Sequence, residues 1–150
     1  TNLEYTDPYT KEKYIPWILE TSMGLGRAFL MVMSDAYSVE TTENSDTRTV
    51  LKLKPELAPV KFAVFPLLKN KPELVEKARG VFKELSKKYP CEWDDNGNIG
   101  KRYRRQDEIG TPKCVVIDFQ TLEDGTVAVR DRDTMEQVRV TTDELMNMGV

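Results

Sequence analysis

Histidine is absent from all 150 residues. That removes histidine-based catalytic triads, HExxH zinc sites and His/Cys zinc fingers. Cysteine is scarce. Cys91 and Cys114 lie far apart with no CxxC spacing, too few ligands for a structural zinc, and reduced thiols rather than a disulfide are the expectation. No metal site is therefore expected. Long apolar runs are missing too: none approaches the ~18–20 residues that span a bilayer, so no membrane partner is expected. The first residues, TNLEYTD, lack an initiator methionine and a charged-then-apolar signal pattern, and a fragment or processed chain is the expectation. What remains for chemistry is carboxylates, arginines, lysines and backbone.

The 39% hydrophobic and 31% charged residues are those of a water-soluble globular protein, and the length fits one core. The net charge is −3. Against that acidic background Lys101, Arg102, Arg104 and Arg105 place four positive charges in five positions. If Asn98 to Pro112 forms a short helix, Ile99 and Tyr103 share one face, a turn apart. Gly110-Thr111-Pro112 ends it, because glycine accepts a left-handed cap and proline cannot continue. Two readings stay open: a directed anion site, or a solvated face held by an Arg104–Glu108 pair.

Taken in order, residues 1–13 are polar and turn-rich. Tyr14 to Leu19 is an apolar run of strand length, and Pro16 inside it argues for an edge or a bulge. Ser22 is a candidate N-cap for a helix over Arg27 to Tyr37, which is apolar on nearly every side and so reads as buried. Little else in the first fifty residues could cover it, which suggests a segment taken from a larger domain. Gly24, Gly26 and Arg27 have two readings. One is a tight turn with a surface arginine. The other is a phosphate cradle made of bare backbone, a helix N-terminus and a guanidinium fork. Val39 to Arg48 is polar and aperiodic and reads as a linker, and Thr49 to Pro55 as a short extended entry to the next domain.

From Val60 the pattern becomes regular. Val60 to Leu68 is a strand. Pro72 opens a helix whose stripe of Leu74, Val75, Ala78, Val81, Phe82 and Leu85 reads as core. Cys91 to Asp95 is a short strand, Asn96-Gly97 a turn, and the basic helix follows. Cys114 to Phe119 is a second buried strand. Asp124-Gly125 is a turn, Thr126 to Asp131 and Met135 to Thr141 are antiparallel strands, and a short helix capped by Thr141 or Thr142 closes the chain. The order β-α-β-α-β-β-β-α gives an α/β, three-layer domain with a mixed, mainly parallel five-stranded sheet. Such sheets hold ligands at the carboxyl ends of their strands. No P-loop or GxGxxG occurs within it.

The run Lys13 to Arg27 (KYIPWILETSMGLGR) resembles motif 3 of class II aminoacyl-tRNA synthetases, in the form seen in glycyl-tRNA synthetases. Leu57 to Leu67 (LAPVKFAVFPL) resembles the first strand of the anticodon-binding domain of those enzymes. Asp94 to Pro112 (DDNGNIGKRYRRQDEIGTP) and Thr126 to Gln137 (TVAVRDRDTMEQ) resemble its two most diagnostic stretches. The resemblance covers nearly the whole chain, in order and at compatible spacing. It departs at Trp17, where many relatives carry histidine, and motifs 1 and 2 are missing.

The resemblance implies three parts: residues 1–38 as the end of a class II catalytic domain, 39–56 as a linker, and 57–150 as the anticodon-binding domain. It implies that Arg27, with Gly24 and Gly26, holds ATP phosphate, and that Glu20 and Ser22 surround the ammonium group of glycine. It implies that glycine tRNA is the partner, met at the anticodon by Arg102, Arg104, Arg105, Gln106, Asp107 and Glu108. A second cluster, Arg130, Asp131 and Arg132, is also a candidate, although alternating Asp and Arg can form a self-contained salt-bridge network. A parent that is a cytoplasmic, homodimeric glycine–tRNA ligase using ATP and Mg2+ is implied. The 150-residue chain alone is expected to be inactive and to need no cofactor. Two rivals are a non-catalytic accessory subunit with a synthetase-like fold and an acidic interaction domain that docks protein through its basic helix.

Overall fold

The computed structural model describes residues 3–41 and 46–149. Near the N-terminus, β1 (Tyr5–Thr6) and β2 (Lys13–Tyr14) form a small antiparallel ribbon. The strand expected over Tyr14 to Leu19 does not form beyond Tyr14. Residues 15–24 have no regular structure, and Trp17 and Leu19 are 100% exposed. No neighbouring strand offers them a ladder, and Pro16 has no N–H to give one.

Helix α1 (Leu25–Ala36) begins at Gly24 without any side-chain cap, so Ser22 is not its N-cap. The expectation of a buried helix fails. Ala36 is its only buried residue, and Leu25, Phe29, Leu30 and Met31 are each at least 65% exposed.

The stretch expected to be an aperiodic linker is instead largely a hairpin. Strand β3 (Tyr37–Thr41) pairs antiparallel with β4 (Thr47–Leu51), from Tyr37↔Leu51 to Thr41↔Thr47. Residues 42–45, part of that expected linker, lie outside the described residues. The β-branched Thr47, Thr49 and Val50 suit a strand, and Arg48 and Val50 both turn inward. Polarity hid the start of this strand, because Arg48, one of its three buried residues, is charged.

The main sheet is built from β5 (Phe62–Pro66), β6 (Cys91–Trp93), β7 (Lys113–Ile117), β8 (Thr126–Asp131) and β9 (Gln137–Thr141). Their spatial order is β6-β5-β7-β8-β9. Strand β5 is parallel to both β6 and β7, while β8 and β9 run antiparallel. The sheet is thus mixed, with a parallel centre. All five residues of β5 are buried, as its unbroken apolar run requires of a strand covered on both faces.

Alternation along β5 sorts two cores. Phe62 and Val64 pack with Leu74, Ala78, Val81 and Leu85 of α2 (Pro72–Ser86). Leu145 of α5 (Thr142–Asn147) joins them. Ala63 and Phe65 face the other way, onto Ile99 and Tyr103 of α3 (Ile99–Ile109). Sequence reasoning missed α4 (Phe119–Asp124). Strand β7 stops at Ile117, and Asp118 caps α4 in a reciprocal box with Thr121. The observed order is therefore β-α-β-α-β-α-β-β-α from β5. A second capping box, between Thr141 and Glu144, starts α5 and settles which threonine caps it.

At the end of α3, Gly110 takes φ of 85°. A Cβ there would stand 2.8 Å from the Leu51 carbonyl oxygen, so both backbone conformation and space demand glycine. This close approach seats the β3–β4 hairpin against α3.

Candidate nucleic-acid interface

Helix α3 carries its polar side chains on two faces with different fates. Three point inward. Arg102, 2% exposed, donates to the carbonyl oxygens of Pro66 (2.5 Å), Asp95 (3.1 Å) and Gly97 (2.8 Å). It thereby ties the carboxyl end of β5 to the loop after β6. Burial pulls its pKa down, against the pull of Asp94 and Asp95. Gln106 accepts a 2.6 Å hydrogen bond from the Thr111 hydroxyl and is equally sealed.

Asp107 is the centre of a buried ion cluster. It accepts from Arg48 Nε at 2.9 Å and from Arg130 Nη1 and Nη2 at 3.0 and 3.3 Å. Arg48 also reaches Glu40 at 3.0 Å and the Arg132 carbonyl oxygen. Burial alone would lower the Arg48 pKa, but the hydrogen bond and charge of Asp107 outweigh it and raise it. Arg130 lies over the Tyr103 ring, 4.6 Å from its centroid. Burial drives the Tyr103 hydroxyl up to about 12.

The second candidate cluster is absorbed in the same architecture. Arg132, 3% exposed, donates to the Leu51 and Gly110 carbonyl oxygens at 3.2 and 2.8 Å and pairs with Asp133 at 2.8 Å. Asp131 shapes the following turn by accepting from the Asp133 and Thr134 amides. Arg130 and Arg132 are held by Asp107 and Asp133, and Asp131 lies 4.0 Å from Lys113, so none of the three pairs with another. Accordingly, Arg102, Gln106, Asp107, Arg130 and Arg132 are brought together as supports, with little surface to offer a ligand.

The outward face of α3 differs. Lys101, Arg104 and Glu108 are exposed. Arg104 donates to the Thr47 carbonyl oxygen at 3.0 Å rather than bracing Glu108. Arg105 keeps 41% of its side chain exposed while holding Asp94 at 2.6 Å and the Asn96 carbonyl oxygen at 2.7 Å. Beside this face runs a cleft of about 380 Å³ between α3, β4 and the β8–β9 turn. Lys101, Arg104, Asn98 and Met135 are at its edges, and Tyr103 and Arg130 lie deeper. The Gln137 amide donates to the Tyr103 hydroxyl at 3.0 Å nearby.

Two residues at the carboxyl edge of the sheet escaped the sequence reading. Phe119, taken for a strand end, is 47% exposed and lines a depression of about 290 Å³ with Asn70 and Lys71. Arg139 forms a two-pronged pair with Asp118, at 2.7 and 2.9 Å, and holds that carboxyl down at about 2. The DxxT capping pattern from Asp118 to Thr121 was the available signal for the turn that exposes Phe119.

Glu20 and Ser22 lie in the exposed, irregular stretch before α1, and Gly24, Gly26 and Arg27 at its first turn, also exposed. The structure does not gather them into a pocket with α3. Among the described residues, no three His, Cys, Asp or Glu side chains converge as a metal site, and no helix is long and apolar enough to cross a membrane. Cys91 and Cys114 are both free thiols.

Residues 61–148 match the family model described as "Anticodon binding domain". A glycine–tRNA ligase of Borreliella burgdorferi is 55% identical over 142 residues, covering 95% of this chain and 32% of that protein. That of Acetivibrio thermocellus is 52% identical over 146 residues, covering 97% of this chain and 31% of that protein. The chain spans about a third of the length of these curated relatives. Among solved structures, the RNA binding domain of threonyl-tRNA synthetase from Cryptosporidium parvum Iowa II superposes with a TM-score of 0.58 at 27% identity, covering 64% of this chain and 24% of that one. The chain belongs to the anticodon binding domain family, in the form that glycine–tRNA ligases carry.

Proposed function

We propose that this chain is the C-terminal part of a glycine–tRNA ligase and grips the anticodon arm of glycine tRNA along the outward face of α3. The observation that carries the reading is the sorting of α3. Its buried Arg102, Gln106 and Asp107 brace a rigid platform, and Lys101 and Arg104 are left on the rim of the adjacent cleft. Lys101 supplies a compact charge for phosphate, while Arg104 and Arg105 offer planar forks for phosphate or base edges. Glu108 can accept from a cytosine amino group. Phe119 contributes the flat stacking surface that recognition of unstacked bases requires. Asp131 and the buried Arg102, Gln106, Asp107, Arg130 and Arg132 act through the platform.

In this reading residues 1–38 end the catalytic domain, residues 39–56 connect it, and residues 57–150 form the anticodon-binding domain. The connector is held to α3 through Arg48 and Asp107. The donor set at the start of α1 suits one phosphate group: Gly24 leaves the helix amides open and Arg27 is exposed beside them. Arg27, Gly24 and Gly26 would hold ATP, and Glu20 and Ser22 the glycine ammonium. When bound with Mg2+, ATP supplies the activation of the amino acid. The whole ligase is then a cytoplasmic homodimer, and this third of it does not charge tRNA by itself.

The test is calorimetric binding of a glycine anticodon stem-loop. Replacing both Lys101 and Arg104 by Ala should weaken binding at least about tenfold and lower the salt slope by roughly 2. A stem-loop altered at the second and third anticodon bases should bind worse than the glycine one. Unchanged affinity after the double change removes this reading of α3. Glycine-dependent charging of tRNA by the purified chain would refute the division of labour.

A further inference from the structure

We propose that the groove between α2, α4 and α5 receives a basic amphipathic helix from a partner protein. This groove, about 700 Å³, lies on the sheet face opposite α3, since α2 and α5 pack on Phe62 and Val64 while α3 packs on Ala63 and Phe65. A partner there leaves the outward face of α3 uncovered, while the Phe119 depression shares Glu73 and Leu122 with the groove.

The floor is apolar. Val81 and Met146 line it, with Leu122 still 40% exposed. Gly80 lies among them, in the interior of α2. Glycine inside a helix is destabilising relative to alanine and usually answers to a special backbone angle or a close neighbour. Neither applies: its φ is not positive, and a Cβ built on it would meet nothing within 4 Å. The missing side chain keeps the floor open, and no contact within the chain accounts for it. That is the arrangement by which one helix lets another approach closely.

The rim selects the partner's charge. Glu73, Glu76, Glu84 and Asp143 line the groove, against Lys77 as its one cation. Glu84 is paired with Lys87 at 2.7 Å, but Glu73, Glu76 and Asp143 have no cation partner among the described residues. Three unneutralised carboxylates around an apolar floor complement a helix with an apolar i, i+3/i+4, i+7 stripe flanked by lysine or arginine.

The probe is a synthetic 16-residue peptide with leucine at helical stripe positions and lysine and alanine elsewhere, set against a scrambled peptide of the same composition. Amide shifts of the labelled chain should move at Gly80, Val81, Leu122 and Met146 and stay still along α3. Gly80→Gln fills the floor with a good helix former and should weaken the peptide at least tenfold. Glu76→Lys should weaken it further as salt is lowered. Binding of the anticodon stem-loop should stay unchanged in both variants, which also shows that they fold. Equal binding of the scrambled peptide, unaltered binding by Gly80→Gln, or shifts centred on α3 would each overturn the proposal. Self-association of the chain abolished by Gly80→Gln would assign the groove to a second copy and overturn it equally.

Discussion

Helices α1 and α2 have comparable apolar faces and opposite surroundings. In α2, Leu74, Ala78 and Leu85 are fully buried against the sheet. In α1, Phe29 and Leu30 are 65% exposed and only Ala36 is buried. An apolar stripe states that a helix has something to bury, but not where the cover is. For α2 the cover is β5, supplied a few residues earlier in the same chain. For α1 the buried cover among the described residues is Leu51, Leu53 and Ala58, packed with Ala36 and Met33 of its last turns, while Leu57, Pro59 and Ile109 line an open cleft beside Leu25 and Phe29. A contiguous apolar face left in water marks a contact surface rather than a finished core. The division of labour proposed above supplies that contact: the rest of a catalytic domain.

The two regions meet at the buried ions, so the largest effect is expected there. Asp107 neutralises Arg48 from the hairpin and Arg130 from β8 at once. Asp107→Ala leaves two guanidinium groups buried without a carboxylate and should destabilise the chain by about 3–5 kcal/mol in urea unfolding. Amides of the β3–β4 hairpin should lose hydrogen-exchange protection before those of β5. A loss below about 1 kcal/mol would mean that the seam is held by packing at Gly110 and not by charge.

That seam also marks where sequence reasoning reached its limit. The five strands of the sheet, α2 and α3 were legible because apolar periodicity or an unbroken apolar run signals each of them. Spacing alone put Ile99 and Tyr103 on one face, and that face packs on Ala63 and Phe65. Strand β4 was legible only from Thr49 onward, because Arg48 is an inward residue whose partner, Asp107, lies 59 positions away. Arg102, Arg130 and Arg132 likewise look like an RNA-binding cluster in the sequence, yet they are buried on carbonyl oxygens or on Asp107 and Asp133. A positive charge reads identically whether it faces phosphate or a buried carbonyl. Only the fold tells which arginines remain outside. Helix α4 was hidden for another reason: its six residues carry no period, and only the DxxT cap announces them.

A smaller effect tests the folded side of the comparison by pH. The hydrogen bonds from Arg139 hold Asp118 at about 2, below its ordinary 3.8. The folded-state pKa is the lower one. Its contribution is therefore complete above about pH 4 and disappears as pH falls through about 2, where both states bind the proton. The shift corresponds to roughly 2 kcal/mol at most, since the pair is partly screened by water. Asp118→Asn should flatten the acid limb of the stability curve between pH 4 and 2 and leave the amide still able to cap α4. An unchanged acid limb would place the acid-sensitive carboxylates elsewhere.

The smallest effect is expected on α1, and it decides whether the comparison holds. Leu30 is removed from water only slightly on folding, so truncating it forfeits little transfer energy and opens no cavity. Leu30→Ala should therefore change unfolding stability by less than about 0.5 kcal/mol, in the range of ordinary surface substitutions. Truncating an exposed leucine also raises helix propensity marginally, so the sign can even be stabilising. Self-association at high concentration should fall at the same time, because the apolar patch shrinks. A loss above about 1 kcal/mol would require α1 to be packed in solution, against its own chain or a second copy, and Leu30 would then behave as the core leucines of α2 do.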